Sequence, residues 1–176
     1  VPTAADKEVR LAEFAQLRNE IGQRTTIQQA LIALNLTVCG TVTGFVSADK
    51  APGSLLLAIV YISSTFGVLW LDHHLAIHQI ASYVEQRLWN WTPSWEAYLQ
   101  SKQPLWWRLI FMFAIALAFV GIAATAAVSV RDDLEGAGTA LQMIWWVGVA
   151  LTAMLFVAFV AVFWTGSDRL KNAKSS

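Results

Sequence analysis

An all-α membrane fold with four transmembrane helices is what this sequence predicts, and three observations predict it. The first is composition: 56% of the residues are hydrophobic and only 14% are charged, against about a quarter charged in soluble domains. The second is where the charges are absent. Residues 25–48, 51–71, 109–130 and 136–167 contain no Asp, Glu, Lys or Arg, and each window can cross a hydrocarbon core of ~30 Å, which takes about 20 helical residues. Spanning barrel strands would alternate in polarity and be about half as long. The third is the placement of basic residues. Of the 12 Lys and Arg, only Lys50 and Arg131 fall between the first and second or the third and fourth windows. Basic residues favour the cytoplasmic side. Both termini and the long middle segment are therefore expected in the cytoplasm, with the chain integral to the membrane.

The chain is expected to form a single membrane domain over 1–176. Residues 1–26 form a cytoplasmic segment whose core, 5–22, reads as an amphipathic helix: Leu11, Phe14, Leu17 and Ile21 fall on one stripe at helical spacing. Asp6 with Arg10 and Glu20 with Arg24 are four apart, in the favourable order for helical ion pairs. This helix either lies on the membrane surface, docks on the second helix or binds a partner. The first 25 residues are charged and amphipathic rather than an apolar run, so no signal peptide is expected.

The first span, 27–47, is the most polar. Gln28, Asn35, Thr37 and Thr41 need helices or water beside them, because lipid offers polar groups no partner. They are the candidate pore-lining residues. Gly40 and Gly44 form a GxxxG pair that allows close helix packing. Cys39, the single cysteine, reads as a small hydrophobe. The turn at 49–53 contains Pro52 and Gly53 and makes spans one and two antiparallel neighbours.

The second span, 54–71, has Ser63, Ser64 and Thr65 at its middle, where they can bond back to their own helix. The helix is expected to continue into the cytoplasm as far as residue 90. Ile77, Ala81, Val84 and Leu88 follow one another as in a coiled-coil seam. His74, His78 and Glu85 lie along one edge of it, within about 40°. His74 and His78 are candidates for metal binding or pH sensing. Glu85 sits about 10 Å further along the axis, too far to share an ion with the pair. The same histidines would equally serve to cap a packed bundle. No metal and no cofactor are expected.

A Trp-rich elbow follows. Thr92 and Pro93 suit an N-cap and first helical residue, which predicts a short interfacial helix over 93–101. Trp89, Trp91, Trp95, Trp106, Trp107 and Trp164 crowd this border, as expected of a headgroup belt. The third span, 105–130, is rich in Ala and Gly in its outer half. An acidic loop containing Asp132, Asp133 and Glu135 reads as solvated. The fourth span covers 140–164, and a short basic tail covers 165–176.

The stretch AEFAQLRNEIGQR before the first span, with HHLAIHQIASYVEQRLW and PSWEAYL after the second, resembles a group of small bacterial four-span integral membrane proteins of uncharacterised role. The resemblance covers about a third of the chain by pattern and implies a prokaryotic inner membrane.

Apart from Arg108 at the inner end of the third, no span contains a charged residue, which leaves no candidate for an intramembrane proton relay. No HExxH, GxSxG or Walker-type loop occurs, so an enzyme is not expected. Net charge is zero, which gives no electrostatic case for nucleic acid. Two readings remain. One is a homo-oligomeric channel lined by the polar face of the first span. The other is an accessory or anchoring subunit of a larger membrane complex, with a cytoplasmic layer that binds a protein partner. The channel stands slightly ahead because the polar face needs water or partners.

Overall fold

The structure, a computed structural model, describes residues 4–84, 105–131, 134 and 138–172. Every regular element among them is helical. Helix α1, Ala4–Ser47, is one uninterrupted helix, about 66 Å long at ~1.5 Å per residue. The amphipathic segment and the first span expected as separate helices are thus joined. Nothing at the junction breaks the ladder. Gly22 is only a weak breaker, and Thr25 and Thr26 return their hydroxyls to the carbonyls of Ile21 and Gly22. Arg24 closes on Glu20 at 2.7 Å.

Helix α1 ends in a Schellman turn. Lys50 N–H donates to Phe45 O at 3.0 Å and Asp49 N–H to Val46 O at 3.1 Å, while Asp49 takes the left-handed conformation, φ 55°. Glycine is the usual occupant of that position, and Asp tolerates it better than most residues. Pro52 then caps a 3-10 turn, Gly53–Leu55, which leads into α2, Leu56–Tyr83.

Helix α2 is the centre of the bundle. It has 44% of its apolar window buried, against 17–28% for the other three spans. Leu57, Val60, Ser64, Gly67 and Leu71 follow at intervals of three and four on one side, with Ile59, Ser63 and Trp70 beside them. Two buried faces mean two sets of neighbours. The pairs Glu13–Tyr83, Gln28–Trp70 and Asn35–Ser63 place α1 antiparallel along one side.

The third span has three parts: α3, Leu105–Ala116; a π-helical turn, Leu117–Gly121; and α4, Ile122–Ser129. Helix α5, Thr139–Asn172, packs parallel to α2. Ser64 meets Thr152 at an offset of 88 residues. The contacts of Gly67 with Leu155 and of Gly148 with Val60 keep that register. Helix α1 packs mainly on α2 and meets the third span chiefly at the π turn.

Three apolar layers stack along α2. Trp70 and Leu71 meet Leu31, Phe119, Leu155 and Phe159. Ile59 and Val60 meet Cys39, Ala126 and Ala127. Leu57 meets Val130 and Leu134. Several expectations fall on other residues. The extension of α2 over 85–90, the helix at 93–101 and most of the acidic loop lie outside the described residues. Helix α5 continues as helix to Asn172, whereas the part long and apolar enough to cross a membrane ends at Trp164, where the fourth span is expected to end.

The close helix crossings use glycines other than the GxxxG pair. A Cβ on Gly67 would meet Leu155 Cδ2 at 2.6 Å and Phe119 Cβ at 3.2 Å, and one on Gly148 would meet Val60 Cγ1 at 3.0 Å. A Cβ on Gly40 or Gly44 would meet nothing within 4 Å. Gly67→Ala should therefore lower stability in detergent by about 1–3 kcal/mol. Gly22→Ala, in open space, should gain up to ~1 kcal/mol from helix propensity. Thermal unfolding of the two variants checks this; equal shifts would contradict the crossing.

Candidate functional site: a polar knot between three helices

The buried polar residues of the spans converge on one place. Asn35 has no solvent exposure, and neither does Ser63. Asn35 donates from Nδ2 to Ala118 O at 2.8 Å, across to the π turn of the third span. Its Oδ1 accepts from Ser63 Oγ of α2 at 2.8 Å. Cys39 lies one turn further on, with Sγ 3.5 Å from Asn35 Oδ1 and 3.3 Å from Ser63 Oγ. A single amide thus joins three helices at one level.

The local reasons are plain. Gln28, Leu31, Asn35 and Cys39 recur at intervals of three and four and are all buried, so they form one inward stripe of α1. A π turn loosens the regular ladder of carbonyl acceptors and is a common place for a side chain to bond into a helix. A second tie lies lower down, where Gln28 Nε2 donates to Trp70 O at 3.2 Å. On the far side of α2, Ser64 meets Thr152 at 3.3 Å, and Thr152 also donates to Gly148 O. Tyr61 Oη donates to Ile144 O, and Trp145 Nε1 to Ala127 O at 2.8 Å.

The four candidate pore-lining residues therefore divide. Gln28 and Asn35 face the interior of the single chain and bond to protein. Thr37 and Thr41 are exposed and return their hydroxyls to Ala33 O and Thr37 O, each at 2.8 Å. Gly40 and Gly44 are exposed with them. At ~100° per residue, Ala30, Ala33, Thr37, Gly40 and Gly44 all lie within about 40° of the direction opposite Asn35. A path along Gln28 and Asn35 would require α1 to part from α2 at Trp70 and Ser63 and from the third span at Ala118.

The histidines also divide. The His74 ring stacks on Trp70, with centroids 5.0 Å apart and planes at 15°. His78 meets His74 edge to face at 4.6 Å and 80°, and Trp70 in turn stacks on Phe159. His73 turns instead towards α1 and lines a groove with Arg24 and Ile27. Among the described residues, no group of three or more His, Cys, Asp or Glu side chains is placed to hold a metal ion. Glu85 lies outside those residues.

Sequence reasoning passes over two members of the knot, Ser63 and Cys39, and over Ser64 on the far side of α2. Ser63 and Ser64 are expected to bond within their own helix, yet both reach across to other helices. Cys39 reads as a hydrophobe and packs beside two polar groups. The signal for Cys39 is its spacing of four from Asn35; for Ser63 there is none without the register of α1 on α2.

Four helices among the described residues are long and apolar enough to cross a membrane. Fold and buried polar site together define an all-helical chain that fits an integral membrane protein. No protein-family model, curated protein or solved structure matches it.

Replacing Asn35 with Leu should destabilise the bundle by about 1–2 kcal/mol, because Ala118 O and Ser63 Oγ lose a partner in a medium that supplies no other. Replacing Thr37 with Val should cost less than about 0.5 kcal/mol, the scale of an exposed position. Unfolding titrations in mixed micelles compare the two. Equal losses would contradict the inward placement of Asn35.

Proposed function

We propose that this chain is a non-enzymatic integral membrane protein that assembles with copies of itself through α1. In this reading it serves as an anchoring or accessory subunit of a larger membrane complex in a bacterial inner membrane. The observation that carries the reading is the outward face of α1. Thr37, Gly40, Thr41 and Gly44 are all exposed in the single chain, with open space beside both glycines. Large side chains suit lipid, whereas small ones gain by close approach to another helix. Leu34, Leu36 and Phe45, about half exposed, flank the small face and give it lipid-facing edges.

The excess of Lys and Arg on one side supports placing both termini in the cytoplasm. Helices α1 and α2 then extend into that compartment together, joined by the Tyr83 hydroxyl donating to Glu13 at 2.7 Å. This paired extension is the part of the chain offered to a soluble or membrane partner.

The second reading is a pore, favoured by Thr37 and Thr41. In a ring of α1 helices these two, rather than Gln28 and Asn35, would face the axis. The internal bonding of Gln28 and Asn35 is what puts the anchoring reading first.

Native mass spectrometry in mild detergent tests the assembly. The wild type should be oligomeric. Gly44→Ile should weaken association at least ~10-fold, about 1.4 kcal/mol, with helicity unchanged because the position touches nothing in its own chain. A monomeric wild type, or a Gly44→Ile variant that assembles normally, would sink the proposal. Liposomes carrying the wild type should stay tight to ions. Flux that Thr37→Leu abolishes would move the reading to the pore.

A further inference from the structure

Between α1 and α2, just beyond the apolar windows, lies a groove of about 460 Å³. Its position follows from the charges. The charge-free window of α1 begins after Arg24 and that of α2 ends before Asp72, so both helices leave the hydrocarbon at this level. Groove walls at that depth sit among lipid headgroups.

Glu20, Gln23, Arg24 and Ile27 line one wall, with the amides Gln16 and Asn19 further out, and His73 lines the other. Arg24 and Glu20 form an ion pair through Nε and Nη2 of the guanidinium and Oε1 of the carboxylate. Nη1 and Oε2 take no part in it. The side chains are 28% and 42% exposed, and ion pairs this exposed contribute little, so the two groups exchange partners cheaply. His73 Nδ1 is one of two buried polar side-chain atoms among the described residues with no hydrogen-bond partner. A half-turn of the ring exchanges that nitrogen with Cδ2 and gives it another direction for a partner.

Below the groove the lining turns apolar. Ile27 is 43% exposed, and Leu34, seven residues on and on the same face, is 51% exposed. Running inwards, the wall therefore passes from amides to an anion, then a cation, then an open apolar track that enters the hydrocarbon. An anion, a cation and an apolar track in that order complement the ammonium, phosphate and acyl chain along an aminophospholipid.

We propose that this groove binds an aminophospholipid, its phosphate on Arg24, its primary ammonium on Glu20 and an acyl chain along Ile27 and Leu34. The phosphate accepts from the guanidinium and from the amide donors. The ammonium N–H groups donate to the carboxylate. A choline headgroup has no N–H to donate, and a glycerol headgroup has no cation for Glu20. The groove lies on a different face of α1 from Gly40 and Gly44, so the proposal stands apart from the assembly reading.

Thermal stabilisation of the purified full chain by added dioleoyl lipids tests it. Phosphatidylethanolamine should act at a concentration at least ~10-fold lower than phosphatidylcholine or phosphatidylglycerol. Glu20→Gln should erase the preference over phosphatidylcholine. Arg24→Gln should lose the response to all three, and Arg24→Lys should keep most of it. Gln23→Trp, which fills the groove from an exposed position, should block the response if Arg24→Gln does not fold. Equal responses of the wild type to the three lipids, or an unchanged preference in Glu20→Gln, would overturn the proposal. Soluble phosphoethanolamine should have no effect; stabilisation by it at matching concentrations would assign the groove to a free phosphate ester and overturn the lipid.

Discussion

A polar side chain within the hydrocarbon must find its partners in protein, and Asn35 shows what that requirement does to this fold. Its amide is fully buried and bonds to α2 and the third span at once. Those bonds set the rotation of α1 about its own axis, its register against Ser63, and the level at which it meets the π turn. The consequence reaches the other side of the helix. With Asn35 and Gln28 turned inward, Thr37, Gly40 and Gly44 are turned outward. The inner knot thus determines which face of α1 points away from the bundle.

The central position of α2 follows from the same economy of small and polar groups. Its two buried faces carry Ser63 towards α1 and Ser64 towards α5. Gly67 makes room for Leu155 and Phe119, and Gly148 makes room for Val60. In a medium as apolar as the side chains themselves, close packing and hydrogen bonds between helices replace the hydrophobic drive. The chain supplies both kinds of contact along one helix.

The spans are legible because charge is so costly in lipid that an apolar run of about 20 residues free of it marks a crossing. The continuity of α1 is less legible: Gly22 and the change from charged to apolar residues suggest a boundary, but neither removes a backbone hydrogen bond. The need of Gln28 and Asn35 for partners can be read from the sequence; the identity of those partners cannot. Grouping Thr37 and Thr41 with them fails to foresee the split, since a threonine hydroxyl can satisfy itself on its own helix and need not turn inward. The packing roles of Gly67 and Gly148 depend on the register between α2 and α5, which no local pattern encodes. His73 and His74 are consecutive and so about 100° apart on the helix, which accounts for their division; the stacking of His74 on Trp70 has no such local signal.

The most direct test of this account is isotope-edited infrared spectroscopy of the Ala118 carbonyl in the bilayer-reconstituted protein. A carbonyl that accepts from Asn35 should absorb at lower frequency than that of an alanine outside the knot, and Asn35→Leu should move it up to the ordinary helical value. An Ala118 band that ignores the substitution would contradict the bond that fixes α1, and with it the assignment of the inward and outward faces of that helix.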